Sequence, residues 1–300
     1  MINAEPDLLR DWLHKVPPDR PVLIAGPTAS GKSGLALALA RLQGRSIVNA
    51  DALQVYDCWQ VLTARPSAPE VAQAPHHLYG HVARGQPWSV GHWLRAVAGL
   101  LRHDPRPVIV GGTGLYFTAL TTGLADIPPT PPEVRARANA RVAAERAGAL
   151  LAELDPATAA RIDRQNPVRI QRAWEVQATT GLGLAHWQDR TGPPVLPLDA
   201  AHALVLRPDP AWLAARIDRR FAEMMGTGAL DEVRAALPHW APLQPWARAI
   251  GAPELVAHLR GEIPLDQAVA AACTATRTYA KRQRTWMRNR LGRWPAIVLP

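Results

Sequence analysis

The stretch "GPTASGKS", residues 26 to 33, sets Gly26 and Gly31 ahead of a lysine and a serine. Glycines at this spacing let successive backbone N–H groups wrap a phosphate, and the helix that follows adds positive potential at its N-terminus. Lys32 would neutralise a phosphate oxygen and the Ser33 hydroxyl would ligate Mg²⁺. Gly26, Thr28, Ala29, Ser30, Gly31, Lys32 and Ser33 are therefore the candidate diphosphate-binding set, with Ser33 as the metal ligand. Lys32 is telling in itself, because only Lys15, Lys32 and Lys281 are lysines among 34 basic residues. The motif specifies a diphosphate-like group and leaves open what carries it. A second acid-bearing strand would favour a nucleoside triphosphatase or kinase. "PVIVGGTG" ends in glycines, whereas "SIVNAD" ends in Asp51, which could hold Mg²⁺ or touch a substrate directly.

These residues need a frame. "PVLIAG" (21 to 26) reads as a buried parallel strand and "KSGLALALARLQ" (32 to 43) as the helix that begins inside the loop. "SIVNAD" (46 to 51), "RPVIVGGTG" (106 to 114) and "AHALVLRPD" (201 to 209) read as further strands, with a helical period over 88 to 103. This alternation predicts an α/β fold: a P-loop NTPase-like, doubly wound parallel sheet whose ligands lie beyond the carboxyl ends of the strands. The loop at 26 to 33, Asp51 and Thr113 should converge there. Proline-rich passages at 126–132 and 190–199 bracket helical text from Glu133 to about Trp187, so residues 126–199 are expected to form an all-helical insertion. Residues 1–125 and 200–300 then make up the catalytic core.

Composition narrows the classes. No apolar run reaches the roughly 18 residues a membrane span needs, and "MINAEPDLLRDWLHKV" carries acids where a secretory leader would be basic, so a cytoplasmic location is expected. Cys58 and Cys273 are too few for a disulfide scaffold or a zinc site. His76 and His77, adjacent but without nearby partners, read as structural or substrate-loop residues. The net charge of +9 points to a polyanionic partner. From Pro264 to Arg293 the chain reads as a helix, and its last 17 residues hold seven bases and no acid. At 3.6 residues per turn Arg277, Lys281, Arg284 and Arg288 form one stripe, with Tyr279 and Trp286 on the opposite side.

In order along the chain, "GPTASGKS", "NADALQVY", "APHHL", "VIVGGTGLYF", "RPDPAWLAARIDRRF", "GALDEVRAAL" and "ATRTYAKRQRTW" resemble the tRNA dimethylallyltransferase (isopentenyltransferase) family, over roughly residues 21 to 290. The resemblance implies transfer of a dimethylallyl group from dimethylallyl diphosphate to the N6 amine of adenosine 37 in the tRNA anticodon loop. It also implies Mg²⁺ as cofactor, and a bacterial-type, monomeric enzyme. Asp51 would be the base for the N6 proton, Thr113 would stand at the reacting centre, and Arg220 would hold the diphosphate, with Arg216 and Arg219 as neighbouring candidates. Asp51, Ala52, Leu53 and Gln54 would touch the flipped base and its neighbours. Arg135, the run Val168, Arg169, Ile170, Gln171 and Arg172, together with Arg248, would hold the tRNA. So would Lys281, Arg282, Gln283, Arg284, Trp286 and Arg288 on the basic helix. Ala52 in place of a common serine, "LTARPS" and "AIGAPEL" depart from the family pattern. Two competing readings stay open here: a P-loop kinase with Asp51 on Mg²⁺ or on the acceptor hydroxyl, and a non-catalytic RNA-binding protein using the basic helix.

Overall fold

Strand β1 (Val22–Ala25) has all four residues fully buried, as an uninterrupted apolar run between two layers must be. Successive side chains point to opposite faces. Val22 and Ile24 pack with Leu35 and Leu39 on one side, while Leu23 and Ala25 pack with Trp93 and Phe117 on the other. The computed structural model describes residues 6–300. The first five residues of the N-terminal stretch considered above for a leader lie outside them.

Around β1 the sheet is completed by β2 (Ile47–Asn49), β3 (His76–His77), β4 (Val108–Gly111), β5 (His202–Pro208) and β6 (Ala296–Leu299). The spatial order is β3-β2-β4-β1-β5-β6 and every pairing is parallel. β3 and β6 are not legible in the sequence reading. β3 is two residues long, and at this edge His76 and His77 serve as strand residues beside Ile47 and Val48. Helices α1 (Pro6–Lys15) and α2 (Lys32–Gln43) cover one face. α3 (Ala68–Val71) is a single turn, and α4 (Val90–His103) and α5 (Gly114–Thr122) cover the other face. Among the described residues no helix is long and apolar enough to cross a membrane.

The chain divides into two compact units, Met1–Thr121 with Val195–Pro300, and Thr122–Pro194. The second unit contains α6 (Pro132–Glu145), α7 (Ala147–Ala152), α8 (Pro156–Arg161), α9 (Pro167–Thr180) and α10 (Leu184–Asp189), around Val134, Ala138, Leu150, Ile170, Ala173 and Trp174. Its helical text is cut short where Pro156 and Pro167 open new helices, since proline has no N–H to continue an old one. Asp155 and Asn166 cap those starts by accepting backbone N–H bonds.

The first unit resumes with α11 (Pro210–Gly226), α12 (Ala229–Ala236), α13 (Ala252–Leu259) and α14 (Leu265–Arg290). Asp209 caps α11, whose buried stripe is Leu213, Ile217 and Phe221. These helices gather with Trp59 and Trp246 into a separate apolar core, where the Trp59 indole donates to the Trp246 carbonyl at 2.8 Å.

Candidate active site

The phosphate loop leaves β1 at Gly26 and enters α2 at Lys32. A Cβ on Gly26 would lie 2.7 Å from the Ser30 hydroxyl and 3.2 Å from Leu206, so a side chain there would have to displace both. Gly31 has φ +90°, which glycine tolerates freely. Ala29 also turns left-handed, with φ +61°, at a cost of about 1 kcal/mol. Its methyl is retained where it packs on Leu213, Ile217 and Ala280. The Ser30 hydroxyl is buried with no hydrogen-bond partner. The unpaired N–H groups of the first turn of α2 open toward the same space, as at any helix start.

Three cations serve this loop. The Lys32 ammonium donates to the Pro27 carbonyl at 3.2 Å. Burial pulls its pKa down to about 8, against the upward pull of Asp51, and Arg220 lowers it further. Arg220 is itself lowered by burial, with Asp51 opposing and Arg216 adding to the effect. Arg216 stacks over Trp212 at 4.5 Å and donates from Nε to the Ala29 carbonyl at 2.9 Å. Arg216 and Arg220 are four apart and share a face of α11; Arg219 is exposed.

The opposite wall is the ends of β2 and β4. Asn49, fully buried, accepts the Asp51 N–H at 2.8 Å and donates to the carbonyls of Asp51 and Leu78. Trp93 donates to the Asn49 carbonyl. The Asp51 carboxylate accepts the Leu53 N–H at 3.0 Å through one oxygen. Thr113 donates its N–H to the Ala50 carbonyl and accepts the Ala52 N–H on its hydroxyl at 2.9 Å, tying the two strand ends together. Between the walls lies a cavity lined by Thr28, Ala29, Asp51, Arg220 and apolar groups of Leu53, Phe221 and Tyr279. The sequence reading missed Tyr279 as a lining residue; its hydroxyl is held well above the usual tyrosine range by burial. Glu232 of "GALDEVRAAL" is a further residue it missed. Its carboxylate accepts the backbone N–H groups of Gln60, Val61 and Leu62, fixing the loop that supplies Leu62 and Thr63 to the cavity.

The basic stripe lies along a groove of about 580 Å³ between α11 and α14, lined by Arg207, Arg277, Lys281, Arg284 and Arg288 over a floor that includes Leu213 and Met287. Arg277 is paired with Asp218. Lys281, Arg282, Arg288 and Arg248 are exposed and Arg284 is half-buried. In the other unit Arg135, Arg169 and Val168 are exposed. There Arg135 and Arg172 flank the buried Glu175 carboxylate, and Gln171 donates to Glu175 and Asn139.

The structure places five of the expected contact residues in other company. Ile170 belongs to the core of its unit and offers no surface to RNA. Gln54 donates its side-chain amide to the carbonyls of Thr63 and Ala64, so those hydrogens are not free for a base. Thr28 gives its N–H to Gln283 and is no amide donor to a phosphate. Gln283, expected on the RNA side of α14, is 6% exposed and faces inward. Trp286 packs on the turn after β4, where a Cβ on Gly114 would be 2.1 Å from its ring.

Mg²⁺ would have a hard-oxygen environment here. Ser33 is exposed at the first turn of α2 and Asp51 lines the cavity beside Thr28 and Ala29 of the loop, while the described residues contain no cluster of three or more His, Cys, Asp or Glu side chains. That set suits an ion which keeps much of its water and rests on one or two protein oxygens plus phosphate.

Comparison with known proteins bears on the same residues. A family model described as IPP transferase matches residues 54–290 and one described as isopentenyl transferase matches 20–79. A tRNA dimethylallyltransferase of Cereibacter sphaeroides is 69% identical over 288 residues, covering 96% of this chain and 92% of that protein. The tRNA dimethylallyltransferase of Paracoccus denitrificans is 57% identical over 290 residues, covering 94% and 95%. Among solved structures, the tRNA isopentenylpyrophosphate transferase of Bacillus halodurans superposes with TM-score 0.65 at 29% identity, covering 93% of this chain and 90% of that one. A eukaryotic dimethylallyltransferase shares the fold, with TM-score 0.78 at 24% identity over 93% of this chain and 74% of that one.

Proposed function

The chain belongs to the IPP transferase family and transfers a dimethylallyl group to tRNA; we propose that the donor is dimethylallyl diphosphate and the acceptor the N6 amine of adenosine 37. The observation that carries this reading is the meeting of the phosphate loop, Arg220 and Asp51 around one cavity whose other walls are largely apolar. An allyl group wants the apolar wall, its diphosphate wants the cations, and the incoming amine wants a base.

The chemistry balances on these groups. The allylic carbon–oxygen bond breaks and its electron pair leaves with the diphosphate, while the N6 lone pair forms the new carbon–nitrogen bond. The N6 proton passes to the Asp51 carboxylate. Lys32, Arg220, Arg216 and the amides of the loop hold the diphosphate as its charge grows, the kind of preorganised stabilisation that acts chiefly in the transition state. Ser33 would hold Mg²⁺, which would supply further charge neutralisation to the diphosphate. Thr113 fixes the peptide after Asp51 and so orients the base. The target adenine must leave its stack to reach Asp51. Leu53 and Tyr279 line the space it would enter, and the exposed Arg248, Lys281, Arg282 and Arg288 would grip the surrounding phosphates.

A kinase reading fares worse on one geometric point. β4 lies beside β1, where a nucleoside triphosphatase would carry its second acid. A Cβ at Gly111 would lie 2.0 Å from the Ala50 carbonyl oxygen, so that strand end has no room for a side chain. The test is direct. The protein is incubated with unmodified tRNA, Mg²⁺ and either dimethylallyl diphosphate or ATP, and the nucleosides are weighed after digestion. One dimethylallyl unit on adenosine is expected with the first donor and no change with the second. Phosphate transfer from ATP, without prenylation, would overturn the reading.

A further inference from the structure

Gln283 sits on α14 among the cations, yet it points away from them. Its Oε1 accepts the Thr28 N–H at 2.9 Å, and its Nε2 donates to the Gly112 carbonyl at 3.0 Å. Thr28 belongs to the phosphate loop, and Gly112 lies between β4 and Thr113. One side chain therefore spans from the diphosphate cradle to the wall that carries the base. Tyr279 lies one turn earlier on the same helix and lines the cavity that holds Asp51. A Cβ on Gly112 would fall 2.2 Å from Nε2 and 3.4 Å from an Asp51 carboxylate oxygen, so the glycine leaves room for this amide beside Asp51.

We propose that Gln283 is a positioning residue for the transfer reaction, setting the distance between the phosphate loop and the Asp51 wall, and is not an RNA contact. The inference rests on the proposed function for what the two walls hold. The bridge needs an acceptor at one end and a donor at the other, on a stem of fixed reach. Glutamine meets that need at this position, whereas ionised glutamate lacks the donor, lysine and arginine lack the acceptor, leucine lacks both, and asparagine is one methylene short. A misplacement of about 1 Å between reacting groups can cost on the order of 10²-fold in rate. Small shifts of the loop relative to Asp51 are therefore enough to matter.

The experiment measures Gln283→Leu and Gln283→Glu for affinity to inorganic diphosphate by calorimetry, affinity to tRNA by filter binding, and kcat and KM for dimethylallyl diphosphate. Gln283→Leu is expected to weaken diphosphate about tenfold or more and to lower kcat by up to about 10²-fold, with tRNA affinity within about twofold of wild type. Gln283→Glu, which keeps the acceptor for Thr28, is expected to fall between. If the leucine variant does not fold, Gly112→Ala carries the test, because its methyl would displace the Gln283 amide without altering α14. The same loss of diphosphate affinity with intact tRNA binding is expected. Weakened tRNA binding with unchanged diphosphate affinity would overturn the proposal, as would a kcat reduced only in proportion to the unfolded fraction. A wild-type protein that binds diphosphate but transfers no dimethylallyl group would sink the proposed function, while the diphosphate affinities would still decide the role of Gln283.

Discussion

Raising the pH should release the diphosphate by discharging Lys32. Burial draws this ammonium from an ordinary 10.5 down to about 8, more strongly than Asp51 pulls it up. A bound diphosphate brings negative charge to the ammonium, and an opposite charge favours the charged form, so the pKa in the complex should return at least to its ordinary value. With a free pKa of about 8, the free protein at pH 9.5 keeps about one part in 30 of its Lys32 charged, while the complex keeps nearly all. Affinity for dimethylallyl diphosphate should then fall roughly 30-fold between pH 7 and 9.5, with about one proton taken up per ligand bound near pH 9. Burial pushes Tyr279 far up and Cys58 up to about 11, which takes both out of this window. Calorimetry in paired buffers of different ionisation enthalpy reads both affinity and proton uptake. Lys32→Arg, which stays charged throughout, should bind with little slope. The reasoning is refuted by a flat wild-type profile, or by an equal slope in the arginine variant. The same shift has a stability consequence of opposite sense. Because the unfolded chain holds the Lys32 proton more tightly, stability should rise by up to about 3 kcal/mol as pH climbs from about 8 to about 10.5.

Asp51→Ala is expected to cost about 10² to 10⁴-fold in turnover while tRNA affinity holds, as read by single-turnover kinetics beside filter binding; wild-type turnover would remove Asp51 from its role. Glu232→Ala strips three backbone N–H groups of one carboxylate. It should lower stability by about 2 to 4 kcal/mol in urea unfolding, and Glu232→Gln, which keeps an acceptor, should lose less. Affinity for tRNA should fall steeply with salt, and Lys281→Ala or Arg288→Ala should each flatten the log–log slope by about 0.7 to 1. A slope unchanged in both would take those side chains off the phosphates.

Much of the site is legible in the chain because it is built from local rules. The strand, loop and helix around Lys32 follow one another without interruption, and Asp51 falls just past β2 as its apolar run ends. The helical period of α14 separates the cationic stripe from Tyr279 correctly. That same period holds the signal for Gln283, four residues after Tyr279 and three before Trp286, on the inner face. Its motif places it among RNA-facing bases, and the motif masks the face. Arg216 is likewise one turn from Arg220 and shares its direction. Other features need the third dimension. β3 and β6 are too short or too close to the end of the chain for a pattern, and they exist because neighbouring strands offer unpaired edges. Asn49 and Glu232 look like ordinary polar residues until the backbone groups they satisfy are brought to them by the fold.

The turn after β4 shows why the cradle and the cationic groove cannot be treated as separate parts. Gly111, Gly112 and Gly114 each leave out a side chain for a different reason: the Ala50 backbone presses on the first, the Gln283 amide on the second and the Trp286 ring on the third. Gln283 and Trp286 are three apart on α14, so they descend together on two glycines of one turn. Sliding α14 by a single residue would bring Arg282 or Arg284 toward Gly112 and bury a guanidinium where only a neutral amide is satisfied. The register is therefore fixed from inside, and Lys281, Arg284 and Arg288 reach the groove as a consequence. Neutralising those outer cations should leave the phosphate loop where it is, whereas any change that shifts the register would disturb both faces at once.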